Sequence, residues 1–189
     1  MRKKEYLFII LNMWRLWIIY IIYNFSKNKK EIDMDIKAWN KVKGLQEKLS
    51  VCLAEYLLTY KEFRNLFLYR VGMQNNIILK LLFPPLNSLY LACPKIGGGL
   101  FIQHGFSTIL AAKEVGNNCW INQQVTVGYK ADKAPIIGDN VKIYCGAIVI
   151  GDVNIGDNVI IGAGAVVTKS VDVGKTMIGN PAYEYLKNK

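Results

Sequence analysis

Residues 137–173, IGDNVKIYCGAIVIGDVNIGDNVIIGAGAVVTKSVDV, place an aliphatic side chain at every sixth position. Ile137, Ile143, Val149, Ile155, Ile161, Val167 and Val173 keep this beat, and Val141, Ala147, Val153, Val159, Ala165 and Val171 stand four residues after successive members. Helical repeat units run to roughly 30 to 45 residues, so a period of six excludes a helical array. It predicts a parallel β-helix in which each hexad gives one short strand and one turn, and three hexads close one triangular coil. The aliphatic residue and the small one point inward. Coils stack at the strand spacing of about 4.7 to 4.9 Å, and turns such as Gly138-Asp139-Asn140 and Gly156-Asp157-Asn158 supply residues tolerant of left-handed backbone.

Working backwards, Val115, Ile121 and Val127 keep the period with Cys119 and Val125 as inward residues, and Ile96, Ile102 and Ile109 nearly keep it. One extra residue falls between Ile102 and Ile109 and four fall between Val127 and Ile137. About four coils are expected between residues 96 and 173. Insertions leave a solenoid as loops and mark its binding face, which draws attention to Gly105 and to Tyr129 through Pro135.

Residues 1–90 have a different character, with few glycines, most of the aromatics and apolar residues at helical spacing, as in Ile32, Ile36, Trp39 and Val42. Pro84-Pro85 stops the last helical pattern at Phe83, because proline lacks a donor N–H and pushes its predecessor out of the α region. The expected fold class is α+β, a helical domain over 1–90 and a β-helix over 91–189 with a short C-terminal tail. Residues 1–90 hold 15 Lys and Arg against 7 Asp and Glu, while 91–189 hold 9 against 7, so the helical half carries +8 of the +10 net charge. That charge suits a membrane surface or a polyanion, yet no nucleic-acid motif accompanies it. Cys52, Cys93, Cys119 and Cys145 form no CxxC pair and the chain has a single histidine, so no metal site is expected. A reducing, cytoplasmic setting fits these free thiols.

Leu7 to Phe25 is an apolar run flanked by Arg2, Lys3 and Lys4 and by Lys27, Lys29 and Lys30, interrupted by Asn12 and Arg15. A central arginine costs about 2.5 to 3.5 kcal/mol on insertion scales, so the run reads as a helix lying on the inner face of a membrane, or packed in an oligomer, rather than a span. No small-residue cleavage site follows it, which argues against a signal peptide.

Residues 96–182 resemble the hexapeptide-repeat, left-handed β-helix acyltransferases. The helical segment followed by Lys95-Ile96-Gly97-Gly98-Gly99, Gln103-His104-Gly105 and the closing Ile178-Gly179-Asn180-Pro181-Ala182 resembles their serine O-acetyltransferase branch. Asp35-Ile36-Lys37-Ala38 and Phe67-Leu68-Tyr69-Arg70 resemble its helical part more weakly, and the Trp120-Ile121-Asn122-Gln123-Gln124 coil resembles a subgroup tied to capsule and surface-polysaccharide assembly.

The resemblance implies acetyl-CoA as co-substrate, no permanently bound cofactor, and His104 as the general base that takes the proton from an acceptor hydroxyl. Imidazole suits the task because it titrates near neutrality. The donor would lie along Gly128, Tyr129, Cys145, Gly146, Ala163, Gly164, Asn180 and Pro181, and the acceptor would meet Gln103, Asn122, Gln124 and Asp132. Family members form trimers, some paired through their helical domains, with sites shared between neighbouring β-helices. The chain departs from the serine branch in three places. Gln103 replaces an acid before the histidine, Leu89 stands near the place of a second acid, and Ala134 replaces a loop histidine. Asp132 from a neighbouring subunit and Glu114 remain as groups to orient His104.

The departures count against serine, and the resemblance to the polysaccharide subgroup implies a sugar hydroxyl of a surface-polysaccharide precursor as the acceptor, with serine of cysteine biosynthesis and a non-catalytic scaffold as alternatives. A γ-type carbonic anhydrase reading fails, since it needs three histidine ligands and this chain has one.

Overall fold

A computed structural model describes residues 3–184. The chain divides into two units after Leu86, a few residues before the expected boundary at 90, because residues 89–91 already form a solenoid strand.

The first unit is helical: α1 (Lys3–Leu11), α2 (Met13–Phe25), α3 (Lys29–Lys43), α4 (Leu49–Thr59), α5 (Lys61–Arg70) and α6 (Ile77–Leu82). Its core gathers Trp39 of α3, Tyr56 of α4 and Phe63 of α5, with ring centroids 5.0 to 5.6 Å apart. At the C-terminal end of α4, Arg64 donates from Nε to the Leu57 carbonyl at 2.6 Å and from Nη2 to that of Leu58 at 2.7 Å, satisfying carbonyls that a helix end leaves without partners. Gly44 ends α3 at φ 70°, donating to the Asn40 carbonyl at 2.8 Å.

The apolar run 7–25 is not one helix. It breaks at Asn12, whose side chain donates to the Phe8 carbonyl at 2.7 Å, one turn back. Arg15 is drawn inward, where Nη1 donates to the Leu82 carbonyl at 2.7 Å and the guanidinium lies 5.1 Å from the centroid of the Phe83 ring. No helix among the described residues is long and apolar enough to cross a membrane.

The second unit is a left-handed parallel β-helix of five coils. Its first face stacks β1 (Leu89–Leu91), β3 (Thr108–Leu110), β6 (Thr126–Gly128), β9 (Ile148–Ile150) and β12 (Val166–Val167). The second face holds Ile96, β4 (Glu114–Val115), β7 (Ile136–Ile137), β10 (Asn154–Ile155) and Val171. The third face holds β2 (Phe101–Ile102), β5 (Trp120–Ile121), β8 (Lys142–Ile143), β11 (Ile160–Ile161) and β13 (Thr176–Ile178), closed by antiparallel β14 (Tyr183–Glu184). The count exceeds the expected four because β1 opens a coil ahead of the six-residue beat.

The beat falls on the interior with two exceptions, both caused by corner length. Leu110, not Ile109, aligns with Val127, so two extra residues rather than one separate Ile102 from the next inward strand position, and Ile109 is 43% exposed. In the last coil Val171 aligns with Ile155. The corner between Val167 and Val171 is therefore two residues shorter than the corner between Val149 and Ile155, and Val173 falls into the turn at 63% exposure.

Between the second and third faces the corner is built by stacked Gly97, Gly116, Gly138 and Gly156. A Cβ on Gly97 would sit 2.7 Å from the Gly116 carbonyl oxygen, and one on Gly116 would sit 2.6 Å from that of Gly138. A ladder of side-chain acceptors joins these turns, with Gly98 N–H donating to Asn117 Oδ1 at 3.1 Å, Asn117 N–H to Asp139 Oδ1 at 2.6 Å and Asp139 N–H to Asp157 Oδ1 at 2.7 Å.

Candidate active site

The corner between the third and first faces carries most of the residues singled out from the sequence. Going down the stack, it presents Gln103 and His104, then Asn122 and Gln124, then Cys145 and Gly146, then Ala163 and Gly164, and last the Gly179–Ala182 turn with Asn180 and Pro181. The turns are locked in register, since Gln124 N–H donates to the Phe106 carbonyl at 2.9 Å, Gly146 N–H to that of Gln123 at 3.2 Å and Gly164 N–H to that of Cys145 at 2.9 Å. Ser107, Gln124, Gly146 and Gly164 each take a left-handed φ between 52° and 69°. This column narrows from polar side chains at the top to Gly and Ala lower down, leaving an exposed strip of backbone.

His104 stands at the head of the column. The two extra residues of the first corner are accommodated by left-handed backbone at both His104 (φ 67°) and Gly105 (φ 62°), with Gly105 N–H donating to the Gln103 carbonyl at 2.9 Å. A histidine with positive φ is uncommon, and here the turn projects the imidazole into solvent beside exposed Phe106. Beneath it the Thr108 hydroxyl, fully buried, lies 3.2 Å from the Asn122 carbonyl oxygen and 3.3 Å from that of Phe106, fixing the floor of the turn.

Asn122 is itself held: Trp120 Nε1 donates to Asn122 Oδ1 at 2.6 Å, and the Trp120 ring packs 4.5 Å from that of Phe101. Trp120 is therefore committed to packing and to holding Asn122. Gln123 Oε1 is buried without a hydrogen-bond partner in the same corner. Sequence reading passed over Phe106 and Ser107, whose signal was the true length of the insertion between Ile102 and Leu110.

Gly128, Tyr129 and Asp132 lie elsewhere, at the corner between the first and second faces. Asp132 sits at the tip of a loop pinned by Lys130 and Lys133, whose N–H groups donate to each other's carbonyls at 2.9 and 3.2 Å, and Lys133 pairs with Asp152 at 2.8 Å. Within one chain this loop and His104 occupy different edges of the triangle. Glu114 is excluded as the group orienting His104 in its own chain, because it pairs with Lys95 at 2.6 Å on the second face. Lys175 is likewise paired, with Glu184 at 2.7 Å. Leu89 is a buried core residue of β1 and brings no polar group toward the acceptor side.

Three cysteines are buried, and burial pushes the thiol of Cys93 up to about 11 and that of Cys119 up to about 12. Cys145 alone is partly exposed, in the column itself. No cluster of three His, Cys, Asp or Glu side chains suited to a metal exists among the described residues.

The coils define a class first: residues 134–169 match the model of the bacterial transferase hexapeptide, six repeats. The relatives then narrow the likeness to one enzyme type. The chain is 42% identical over 94 residues to a serine acetyltransferase of Staphylococcus aureus, covering 47% of this chain and 44% of that protein, so it spans under half the length of the curated relatives it matches. Among solved structures it resembles Neisseria gonorrhoeae serine acetyltransferase in complex with serine, at 26% identity and TM-score 0.66 over 83% of this chain and 68% of the other. A serine acetyltransferase solved in complex with CoA shares the fold at TM-score 0.67 and 22% identity, over 89% of this chain and 74% of the other.

Proposed function

We propose that this protein is an acetyl-CoA-dependent O-acetyltransferase acting by direct transfer. The observation that carries the reading is the placement of His104, the one histidine of the chain, at a left-handed turn heading an exposed column of small residues. The acceptor hydroxyl attacks the thioester carbonyl while His104 takes its proton. The tetrahedral oxyanion collapses, the carbon–sulfur bond breaks, and the proton passes from His104 to the departing CoA thiolate. Acetate ester and free CoA result, and no acyl-enzyme is needed. Cys145 makes a poor rival nucleophile, since the chain has no second histidine to activate it.

Cys145, Gly146, Ala163 and Gly164 line the path for the pantetheine arm, because small residues let a ligand approach the backbone closely, and Asn180 and Pro181 close its end. The protein works in the cytoplasm as a homotrimer or a pair of trimers, so that Gly128, Tyr129 and Asp132 of the partner subunit complete the site at His104. A partner backbone N–H then serves the oxyanion. Gln103, Asn122 and Gln124 face the acceptor.

The relatives favour serine as acceptor over the sugar reached from the sequence. The sugar reading stays as a second possibility on one specific observation: Gln103 and buried Leu89 leave the site without the two acids that the serine branch carries. The test is thiol release from acetyl-CoA with L-serine and with a panel of sugars and nucleotide sugars. Turnover on serine alone selects serine. Turnover on a sugar alone restores the polysaccharide reading, and none on any hydroxyl, with no CoA binding, removes the enzyme reading.

A further inference from the structure

The outer side of the N-terminal helices is as apolar as the inner side. On α2, Leu16, Ile19 and Tyr23 are buried, while Trp14, Trp17, Ile21 and Phe25 form an exposed stripe at spacings of three and four residues. Leu7, Phe8, Ile10 and Leu11 of α1 are exposed as well. Arg15 ties the end of α6 against α2, and α6 exposes Ile77, Ile78 and Leu81. A helix surface apolar all round belongs either in a core or against lipid, and an exposed patch of this kind marks an interaction site.

Two further observations choose the occupant. The first is charge. The chain holds no Asp or Glu between Glu5 and Glu31, nor between Glu62 and Glu114, so every charge on α2, α6 and the turns beside them is positive. Lys27 and Lys30 are exposed just past Phe25. A second copy docking here about a two-fold axis would set like charges against like, whereas an anionic surface would complement them. The second is a cleft of about 520 Å³ at the end of the stripe, whose lining includes Ile21, Phe25, Val71 and Met73 together with Lys27 and Arg70. An apolar slot with a cation beside it has the form of a site for an acyl chain below a phosphate. At about 1.5 Å per residue, α1 and α2 are each too short to cross roughly 30 Å of hydrocarbon, so they would lie in the interface.

We propose that the outer face of α1, α2 and α6 binds the surface of an anionic phospholipid bilayer, seating Trp14, Trp17 and Phe25 among the acyl chains, with Lys27 and Lys30 at the headgroup phosphates. Together these groups form a peripheral anchor that does not depend on the solenoid's chemistry.

The test is flotation of the full-length protein with phosphatidylcholine vesicles, and with vesicles in which roughly one-third of the lipid is phosphatidylglycerol. A parallel reading uses tryptophan fluorescence with brominated acyl chains, which quench only rings that enter the bilayer; Trp39 is buried and stays silent. Binding to the anionic vesicles with quenching is expected. Trp14→Glu/Trp17→Glu is expected to lower it at least about tenfold, and Lys27→Glu/Lys30→Glu to abolish the preference for phosphatidylglycerol. Absence of wild-type flotation and quenching overturns the proposal without involving any variant. It also falls if Trp14→Glu/Trp17→Glu leaves flotation unchanged, or if that variant, with an unaltered circular dichroism melt, instead splits a larger assembly while wild type ignores vesicles.

Discussion

Arg70, at the end of α5, donates from Nε to Asp35 Oδ2 at 2.8 Å and from Nη2 to Asp35 Oδ1 at 3.1 Å, with both side chains almost wholly buried. The pair ties α3 to α5 and joins the two helical segments whose sequences resemble the serine O-acetyltransferase branch. Removing one member of such a pair strands the other charge in a dry interior. Asp35→Ala should lower unfolding stability by about 3 to 5 kcal/mol, measured by urea denaturation, and Asp35→Asn by less because it keeps an acceptor. A loss below about 1 kcal/mol would place the pair among solvent-screened surface bridges.

Gly116 leaves no room for a side chain against the next coil. Gly116→Ala forces adjacent turns apart in a stack that has no slack, and should cost about 1 to 3 kcal/mol, seen as a lowered melting temperature. Gly164→Ala is the comparison, because no atom lies within 4 Å of its missing Cβ, and only its φ of 67° opposes the substitution. Equal losses at both sites would show that coil contact is not what requires glycine at 116.

Burial holds the Cys93 thiol up at about 11 and that of Cys119 at about 12, against an ordinary value of 9.0. These groups are neutral in the folded chain and ionise earlier when it unfolds. Their stabilising contribution is complete below pH 9 and is lost between pH 9 and about 11 for Cys93 and between pH 9 and about 12 for Cys119, at up to about 1.4 kcal/mol per pH unit for each thiol. Stability measured across that alkaline window should fall, and Cys119→Ala should flatten the slope. In the native protein at neutral pH a thiol reagent should label Cys145 fast and the three buried cysteines only on unfolding. Fast labelling of Cys93 or Cys119 would contradict the packing described.

His104→Ala should reduce turnover of acetyl-CoA by about a hundred- to ten-thousand-fold, while the KM for acetyl-CoA changes little, because the small-residue column below is untouched. Full activity in this variant would reassign the base.

Much of this was legible because a solenoid repeats one local rule. Val141, Ala147 and Val159 are inward for the same reason at each level, and each is fully buried. Errors arose where corner length changed. Ile109 and Val173 kept numerical time but lost their place, since a hexad count cannot tell whether an added or missing residue lies in strand or turn. The break at Asn12 was also hidden, because Leu7 to Phe25 is apolar throughout and only the pull of Arg15 toward the Leu82 carbonyl separates inner from outer face. Within the site the sequence identifies residue types, but only the fold sorts His104 and Gly146 to one edge and Tyr129 and Asp132 to another.

The β13–β14 hairpin turns the chain back against the last coil, pairing Ile178 with Tyr183 and Met177 with Glu184. An open parallel stack would offer its final edge to any passing strand, and this reversal occupies part of it. Because every coil rests only on its neighbours, the number of coils is a free parameter set by where this terminator stands. Inserting one more coil of roughly eighteen residues ahead of β13 would lengthen the column below His104 by about 4.7 to 4.9 Å and leave the terminator the same. The molecule thus contains its own ruler, and the reach from base to closing turn is adjustable in fixed steps.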